Sequence, residues 1–256
     1  ECRHGIGYSK WASKKNNVQA DLLTFVPMND NCEISQVKLT NTSDSVKNIQ
    51  LFSYVEWCLW NADDDSRNFQ RNLSTGEVEV IDSTIYHKTE YRERRNHYAI
   101  YSVNTKVDGF DTIRESFIGT YNGADKPEAI LNGGCTNSMA SGWAPIAAHQ
   151  INVSLKAGES KSFIFVLGYC ENPAEDKWES AGIVNKAPAK AMLAKYQTEE
   201  SFDKAFEELN TYWKALLAKY TVESSNDKVN RMVNIWNQYQ CMVTFNMSRS
   251  ASYYES

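Results

Sequence analysis

The sequence predicts a mainly β protein with an α-helical tail: a large antiparallel β-sandwich followed by a run of helices. Three observations carry this. Between Gly5 and Tyr169, short runs of β-branched and aromatic residues recur, and turn clusters such as Asn41-Thr42-Ser43-Asp44-Ser45 and Ala157-Gly158-Glu159 separate them. Many short strands with turns between them pack as two antiparallel layers. After Pro173 the apolar period changes to three and four residues, the mark of amphipathic helices.

The strands follow in order. Ala20 to Val26 is the first apolar run. Glu33 to Leu39 alternates, with Ile34, Gln36 and Lys38 on one face and Val37 and Leu39 on the other. Ile49 to Trp60 is a long, nearly unbroken apolar run, which predicts a strand covered on both faces. Further strands are expected at Gly76–Ile81, Thr84–Lys88, Tyr98–Val103, Ile151–Leu155 and Ser162–Tyr169.

The helices come next. Lys186 to Tyr196 and Ser201 to Tyr220 read as helical, the second with Phe202, Ala205, Phe206, Leu209, Trp213, Leu216 and Leu217 on one stripe. Thr198, Ser201 and the acidic Glu199 and Glu200 mark its amino-terminal cap. Ser224-Ser225-Asn226-Asp227 opens a last helix, Lys228 to about Met247. Val229, Met232, Val233, Ile235, Trp236, Tyr239, Met242, Val243 and Phe245 make it apolar around much of its girth, so it is expected to be buried on several sides by further helical protein. Trp213 and Trp236 are expected in the core. The boundaries predicted are a sandwich over residues 1–172, a helical linker over 173–222, and the start of a further helical domain over 223–256.

Composition excludes several functions. The 256 residues suit one large domain or two smaller ones, and a net charge of -5 gives no basic field for nucleic acid or an anionic membrane. The longest apolar runs, such as Phe163–Leu167, are too short to span a bilayer, and no signal peptide is visible at the start, which predicts a cytoplasmic protein. The chain opens at Glu1 and closes at Ser256 just after a strong helix, which predicts a piece of a longer polypeptide. The cysteines at 2, 32, 58, 135, 170 and 241 form no C-x-x-C pair and stand near no histidine at zinc spacing, so they are read as small buried hydrophobes in a reducing compartment. His4, His87, His97 and His149 are dispersed, without metal spacing or a Ser-His-Asp arrangement. No metal site is expected.

Four other clusters can be weighed on their residues. Asp63-Asp64-Asp65 lacks the spacing of a calcium loop and reads as a solvated acidic turn. Arg92, Arg94 and Arg95 alternate with Glu90 and Glu93, a mixture that suits an ion-pair network better than an anion clamp. Trp57 and Trp60 sit in apolar runs and read as core. Trp143, in Ser141-Gly142-Trp143-Ala144-Pro145, is the most loop-like and is the candidate for a pocket rim; with Asn137-Ser138 it forms a polar, turn-rich segment suited to a cleft or an interface.

Three strings carry a family resemblance. They are Asn68-Phe69-Gln70-Arg71-Asn72-Leu73-Ser74-Thr75-Gly76-Glu77-Val78-Glu79-Val80, the run Ile85 to Tyr98, and the run Asn230 to Cys241 continuing through Ser248-Arg249-Ser250-Ala251-Ser252-Tyr253-Tyr254-Glu255-Ser256. The similarity extends from Cys2-Arg3-His4-Gly5 to the last residue, and the chain resembles the cellobiose phosphorylases, whose neighbours are the cellodextrin and chitobiose phosphorylases. The resemblance implies a β-sandwich, a helical linker and the first helix of an (α/α)6 barrel, cut off before the catalytic aspartate. It therefore implies no catalytic residue within these residues.

The implied reaction is reversible phosphorolysis of cellobiose to α-glucose 1-phosphate and glucose, with inversion. Phosphate is already an anion and needs no carboxylate base, so one general acid suffices, unlike the two carboxylates of an inverting hydrolase. No cofactor is implied beyond inorganic phosphate as co-substrate, and the working unit is a homodimer. Within this chain the resemblance points to Gln70 and Arg71 as sugar-binding residues, because an amide and a guanidinium fork suit paired hydroxyls. A loop-fixing hydrogen-bond network is the other reading of that pair. Two other functions remain open at this point: a stand-alone carbohydrate-binding sandwich, and a scaffolding module with no sugar role.

Overall fold

A computed structural model describes residues 1–57, 76–88, 96–142 and 145–248. They fall into two units, Glu1–Lys204 and Ala205–Ser256.

The first unit is a sandwich of two unequal sheets. Its strands are β1 (Cys2–Gly5), β2 (Tyr8–Lys15), β3 (Val18–Phe25), β4 (Cys32–Asn41), β5 (Lys47–Glu56), β6 (Gly76–Ile81), β7 (Thr84–Lys88), β8 (His97–Val103), β9 (Gly109–Ile113), β10 (Ser141–Gly142), β11 (Pro145–Leu155) and β12 (Ser160–Glu171). The larger sheet runs in the order β1-β2-β3-β4-β12-β8-β7-β6-β10, and the smaller runs β5-β11-β9. The pairs in both are antiparallel.

The alternation read from the sequence sets which side chains meet. Val37 and Leu39 of β4, Phe163 and Phe165 of β12, and Ala99, Tyr101 and Val103 of β8 turn inward to meet Ala147, Ile151, Val153 and Leu155 of β11. Strand β5 is covered on both faces, as expected. Ile49, Leu51 and Val55 pack on this core, and Phe52 and Tyr54 pack outward on Phe117. Phe117 belongs to α1 (Arg114–Ile118), which with α2 (Glu128–Leu131) covers the small sheet. These two short helices and β9 have too few residues to show a period, and the sequence did not predict them. Strand β11 begins at Pro145 and not at Ile151, because its first residues pair with the end of β5.

The outer face of the large sheet is covered by α3 (Ala187–Ala194) and the start of α4 (Glu199–Leu217). Phe202 is wholly buried and meets Phe25 edge-on at 5.1 Å. The cap of α4 forms as the sequence predicts: Thr198 N–H donates to Ser201 Oγ at 3.2 Å, and Ser201 N–H donates to Thr198 Oγ1 at 3.1 Å. Gly168 lets α3 approach the sheet, since a Cβ there would lie 2.9 Å from both Met192 Sδ and Ile100 Cγ1. The hairpin of β13 (Trp178–Ser180) and β14 (Ile183–Val184) lies just before α3.

One end of the sandwich is tied by Asn41, which has no exposure. Its amide donates to the carbonyls of Ser45, Leu155 and Lys156 at 2.7, 3.1 and 3.0 Å, and its Oδ1 accepts from Ser43. The turn cluster seen in the sequence at 41–45 is thus fastened to the β11–β12 turn.

In the second unit, α5 (Asp227–Arg231), a π-helical stretch (Met232–Asn237) and α6 (Gln238–Ser248) form one continuous helical run. Asn226 caps it by accepting from Lys228 N–H and Val229 N–H. It is held beside the end of α4 by Gln238, which donates to Tyr220 O at 2.8 Å, and by Trp213 against Tyr239 at 5.8 Å. Met232, Trp236 and Phe245 are 54%, 56% and 58% exposed, so the described residues do not themselves bury Trp236; the cover expected for this run was from further helical protein. Trp213 covers the stripe at Tyr239, while Met232, Trp236 and Phe245 stay open among the described residues.

Candidate functional site

The end of the sandwich opposite Asn41 is where the sequence-flagged segments meet. Gly76 faces Gly142 across β6–β10, and Glu77 faces Lys88 across β6–β7. Lys88 faces Tyr98, His97 faces Glu171, and Ile146 faces Glu56. Every flank of residues 58–75, 89–95 and 143–144 therefore lies at this end. Gln70, Arg71 and Trp143 lie outside the described residues, as do Asp63-Asp64-Asp65, Trp60, Cys58, Arg92, Arg94 and Arg95. Strand pairing brings together the places from which the candidate sugar contacts depart, although Gly76 and Gly142 are far apart in sequence.

The mouth of the sandwich here is an open cleft of about 670 Å³. Asp30, Glu33, Glu56, Trp57, Ala99 and Tyr169 are among the residues that line it. Rings cross the neighbouring strands at this end: Tyr169 of β12 stacks on His97 of β8 at 5.8 Å, and His87 of β7 stacks on Trp57 at 5.4 Å. Trp57 is 7% exposed and belongs to the core, as its apolar context predicts. Its Nε1 and the Nδ1 of His87 are buried without a hydrogen-bond partner among the described residues.

Two of the acids of the mouth, Asp30 and Glu56, are engaged. Asp30 accepts from Lys195 Nζ at 2.6 Å and from the Tyr196 hydroxyl at 2.5 Å. Glu56 accepts from Arg114 Nε at 3.0 Å and from the Tyr54 hydroxyl at 2.5 Å, and this bond to Glu56 raises the pKa of the Arg114 guanidinium. Burial pushes the Cys32 thiol up to about 12, so no thiolate nucleophile is available there. Burial, reinforced by His97, pushes His87 down to about 4, which keeps its imidazole neutral near pH 7. Of these rings only Tyr169 is partly open at the mouth, since Trp57, His87 and His97 are buried.

Two networks steady this end, and the sequence showed neither. Asp111 of β9 is fully buried and accepts from the backbone N–H and hydroxyl groups of both Thr136 and Ser138. Ser138 Oγ in turn accepts from Thr112 N–H and Ile113 N–H. This fixes the polar segment that leads into β10 and Trp143. On the other side, Lys186 is 1% exposed, pairs with Glu79 of β6 at 2.5 Å and lies over the Tyr86 ring. Glu79 also accepts from Val184 N–H, and Lys88 donates to the Gly182 carbonyl and sits over Trp178. The β13–β14 hairpin is thereby clamped on the strands that end at the mouth. Only long-range pairing reveals these partners.

Cys32 and Cys170 are buried as expected, but Cys2 and Cys241 are exposed, the first on an edge strand and the second on α6. Among the described residues no three His, Cys, Asp or Glu side chains are grouped to hold a metal, and no helix is long and apolar enough to cross a membrane.

Comparison with known proteins places this geometry in context. Residues 1–199 match the family model described as glycosyl hydrolase 94, supersandwich domain, and residues 212–256 match the glycosyl hydrolase 94 superfamily, catalytic domain. The N,N'-diacetylchitobiose phosphorylase of Vibrio furnissii is 29% identical over the whole chain, which covers 30% of that protein. The solabiose phosphorylase of Paenibacillus borealis is 25% identical over 97% of the chain and 31% of its own length. Among solved structures, a bacterial glucoamylase complexed with acarbose aligns over 97% of this chain and 29% of that one, with 17% identity and a TM-score of 0.44. The chain spans about 30% of the length of these two relatives.

Proposed function

Because the chain belongs to the glycosyl hydrolase 94 family, we propose that it is the sandwich domain and the opening of the catalytic domain of an inverting glycoside phosphorylase. The substrate we assign is cellobiose, cleaved reversibly by inorganic phosphate to α-glucose 1-phosphate and glucose. The observation that carries the reading is the order of the two family matches, a supersandwich followed by the start of a catalytic domain. The Asn68–Val80 and Ile85–Tyr98 strings support cellobiose within that family. A second reading, phosphorolysis of N,N'-diacetylchitobiose, is favoured by the Vibrio relative.

In this reading the mouth of the sandwich is the side turned to the sugar, and Gln70, Arg71 and Trp143 reach the pocket from segments rooted there. The exposed stripe of Met232, Trp236 and Phe245 is the surface on which the rest of the catalytic domain packs. The protein works as a cytoplasmic homodimer and uses no cofactor beyond phosphate.

The test is release of a sugar 1-phosphate by the full-length enzyme with phosphate and either disaccharide: glucose 1-phosphate from cellobiose, or N-acetylglucosamine 1-phosphate from N,N'-diacetylchitobiose. Turnover of cellobiose is expected, turnover of N,N'-diacetylchitobiose alone transfers the assignment, and turnover of neither rejects both. Residues 1–256 alone are expected to be inactive. Glucose or cellobiose binding by a soluble, monomeric 1–256 favours a stand-alone carbohydrate-binding sandwich instead. In the full-length enzyme, Arg71→Ala is expected to raise the KM for a sugar without lowering the melting temperature, and unchanged kinetics discard the role.

A further inference from the structure

Asn230, Asn234 and Gln238 stand four residues apart on the last helical run, and each turns its amide to the chain that precedes it. Asn230 Oδ1 accepts from Ser224 N–H at 2.8 Å, and its Nδ2 donates to Ser224 O at 2.9 Å. Asn234 Oδ1 accepts from Val222 N–H at 2.7 Å, and its Nδ2 donates to Val222 O at 2.8 Å. Gln238 Nε2 donates to Tyr220 O at 2.8 Å. The three amides form a ladder that takes hold of alternate residues, Ser224, Val222 and Tyr220, against the direction of the chain. Its rungs keep step because four residues of helix rise about 6 Å and two residues of extended chain advance about 6.6 Å.

Matching rise is not enough, since the rungs must also share a side. Four residues of α-helix turn about 400°, so side chains four apart drift by about 40°, and across eight residues Asn230 and Gln238 would diverge by about 80°. The π-helical stretch Met232–Asn237 lies between them. Its hydrogen bonds reach one residue further, so each residue turns the helix by less and the drift is taken back. The stretch holds no proline or glycine that would itself break an α-helix. The π form is thus matched to hydrogen bonds made outside its own backbone.

We propose that this ladder holds Met232–Asn237 in the π form and so sets the rotational phase of Gln238–Ser248. Asn230, Asn234 and Gln238 are then positioning residues for the reaction, acting through the helical run that opens the catalytic domain; that role rests on the glycoside phosphorylase reading. A π turn takes up about one residue more than an α turn, so its loss rotates everything after it by roughly 100°. Trp236 lies within the stretch and Phe245 beyond it, so a rotation of that size changes which side chains the run presents to the rest of the domain.

The test compares variants of the full-length protein. Asn230→Leu, Asn234→Leu and Gln238→Met together remove the amides at nearly constant volume. A crystal structure of this triple variant is expected to show 232–237 as α-helix, with 238–248 turned by roughly 100°; a surviving π stretch overturns the proposal. Asn237 is exposed, and deleting it from the triple variant lets an unbroken α-helix restore the original phase. With phosphate and the disaccharide that the wild type cleaves, the triple variant is expected to lose at least about 10-fold in kcat. The deletion is expected to recover most of that loss, which a merely structural role for the amides does not allow. Unchanged kcat in the triple variant, or no recovery on deletion, overturns the positioning role. Where the triple variant does not fold, Asn234→Leu alone, which removes the middle rung, is read against the same outcomes. A wild type that cleaves neither disaccharide rejects the substrate assignment and the positioning role with it, while the crystal structure still decides whether the ladder holds the π form.

Discussion

A carboxylate with no exposure must find its hydrogen bonds inside, and Asp111 finds them in the backbone and hydroxyl groups of Thr136 and Ser138. Asp111→Ala leaves several buried donors unanswered, each costing about 1–3 kcal/mol. A loss of at least about 3 kcal/mol is expected in urea unfolding, while Asp111→Asn, which keeps one acceptor oxygen, is expected to lose less. His149 is the opposite case. It is 1% exposed, stacks on Tyr101 at 5.1 Å, touches Ser53 Oγ only at 3.4 Å, and its Nε2 has no partner among the described residues. Burial lowers its pKa to about 3, while the unfolded imidazole titrates near 6.5. The unfolded chain therefore binds the extra proton, and stability present above pH 6.5 is lost as the pH falls toward 3. His149→Phe keeps the stack and removes the proton site. Its melting temperature is expected to fall less than the wild type's between pH 7 and pH 5. In the sequence, Asn137-Ser138 is visible as a polar turn segment, but nothing local names Asp111 as its partner, and His149 is visible only as an isolated histidine in an apolar run.

At the scale of elements, periodicity made most strands and the long helices legible, because each alternation or stripe repeats several times. The cap at Thr198 and Ser201 was legible for the same local reason. The π-helical stretch Met232–Asn237 was not, since its residues fit an α-helical stripe equally well. The β13–β14 hairpin was missed because its strands span three and two residues, and its place depends on a buried ion pair to a distant strand. Lys186→Met would leave Glu79 without its closest cation, and breaking such a pair from one side costs about 3–5 kcal/mol. Glu79→Gln, which can still accept from Val184 N–H and Lys186, is expected to cost less. Thermal unfolding at pH 7 distinguishes the two, and equal losses would show that the clamp is a matter of packing, with charge contributing little.

For the whole molecule, the sandwich class followed from counting strands, but the inequality of the sheets did not. Which strand joins which sheet depends on pairings such as Thr40 with Ser160, more than a hundred residues apart, and no local pattern encodes them. That Gly76 and Gly142, the described flanks of residues 58–75 and 143–144, lie side by side likewise appears only once β6 and β10 are paired. The same long-range logic governs where the helical part leaves the sheet. Gly168→Ala inserts a methyl group between Ile100 and Met192, and overpacking of this kind costs about 1–3 kcal/mol. A lower melting temperature with faster amide exchange across Ala187–Ala194 is the expected result, and an unshifted melt would mean that Met192 simply turns aside.

The side chain of Asn41 acts like the stitching along the spine of a book. It sews β4, the 41–45 turn and the start of the β11–β12 turn into one seam, so any rotation of the two leaves would centre there. The ten residues of β4 run from that seam at Asn41 to the fore-edge at Cys32, a lever of roughly 30 Å. A small rotation at the spine becomes its largest displacement between Glu33 and Trp57, so breathing of the leaves is felt most where a guest would enter.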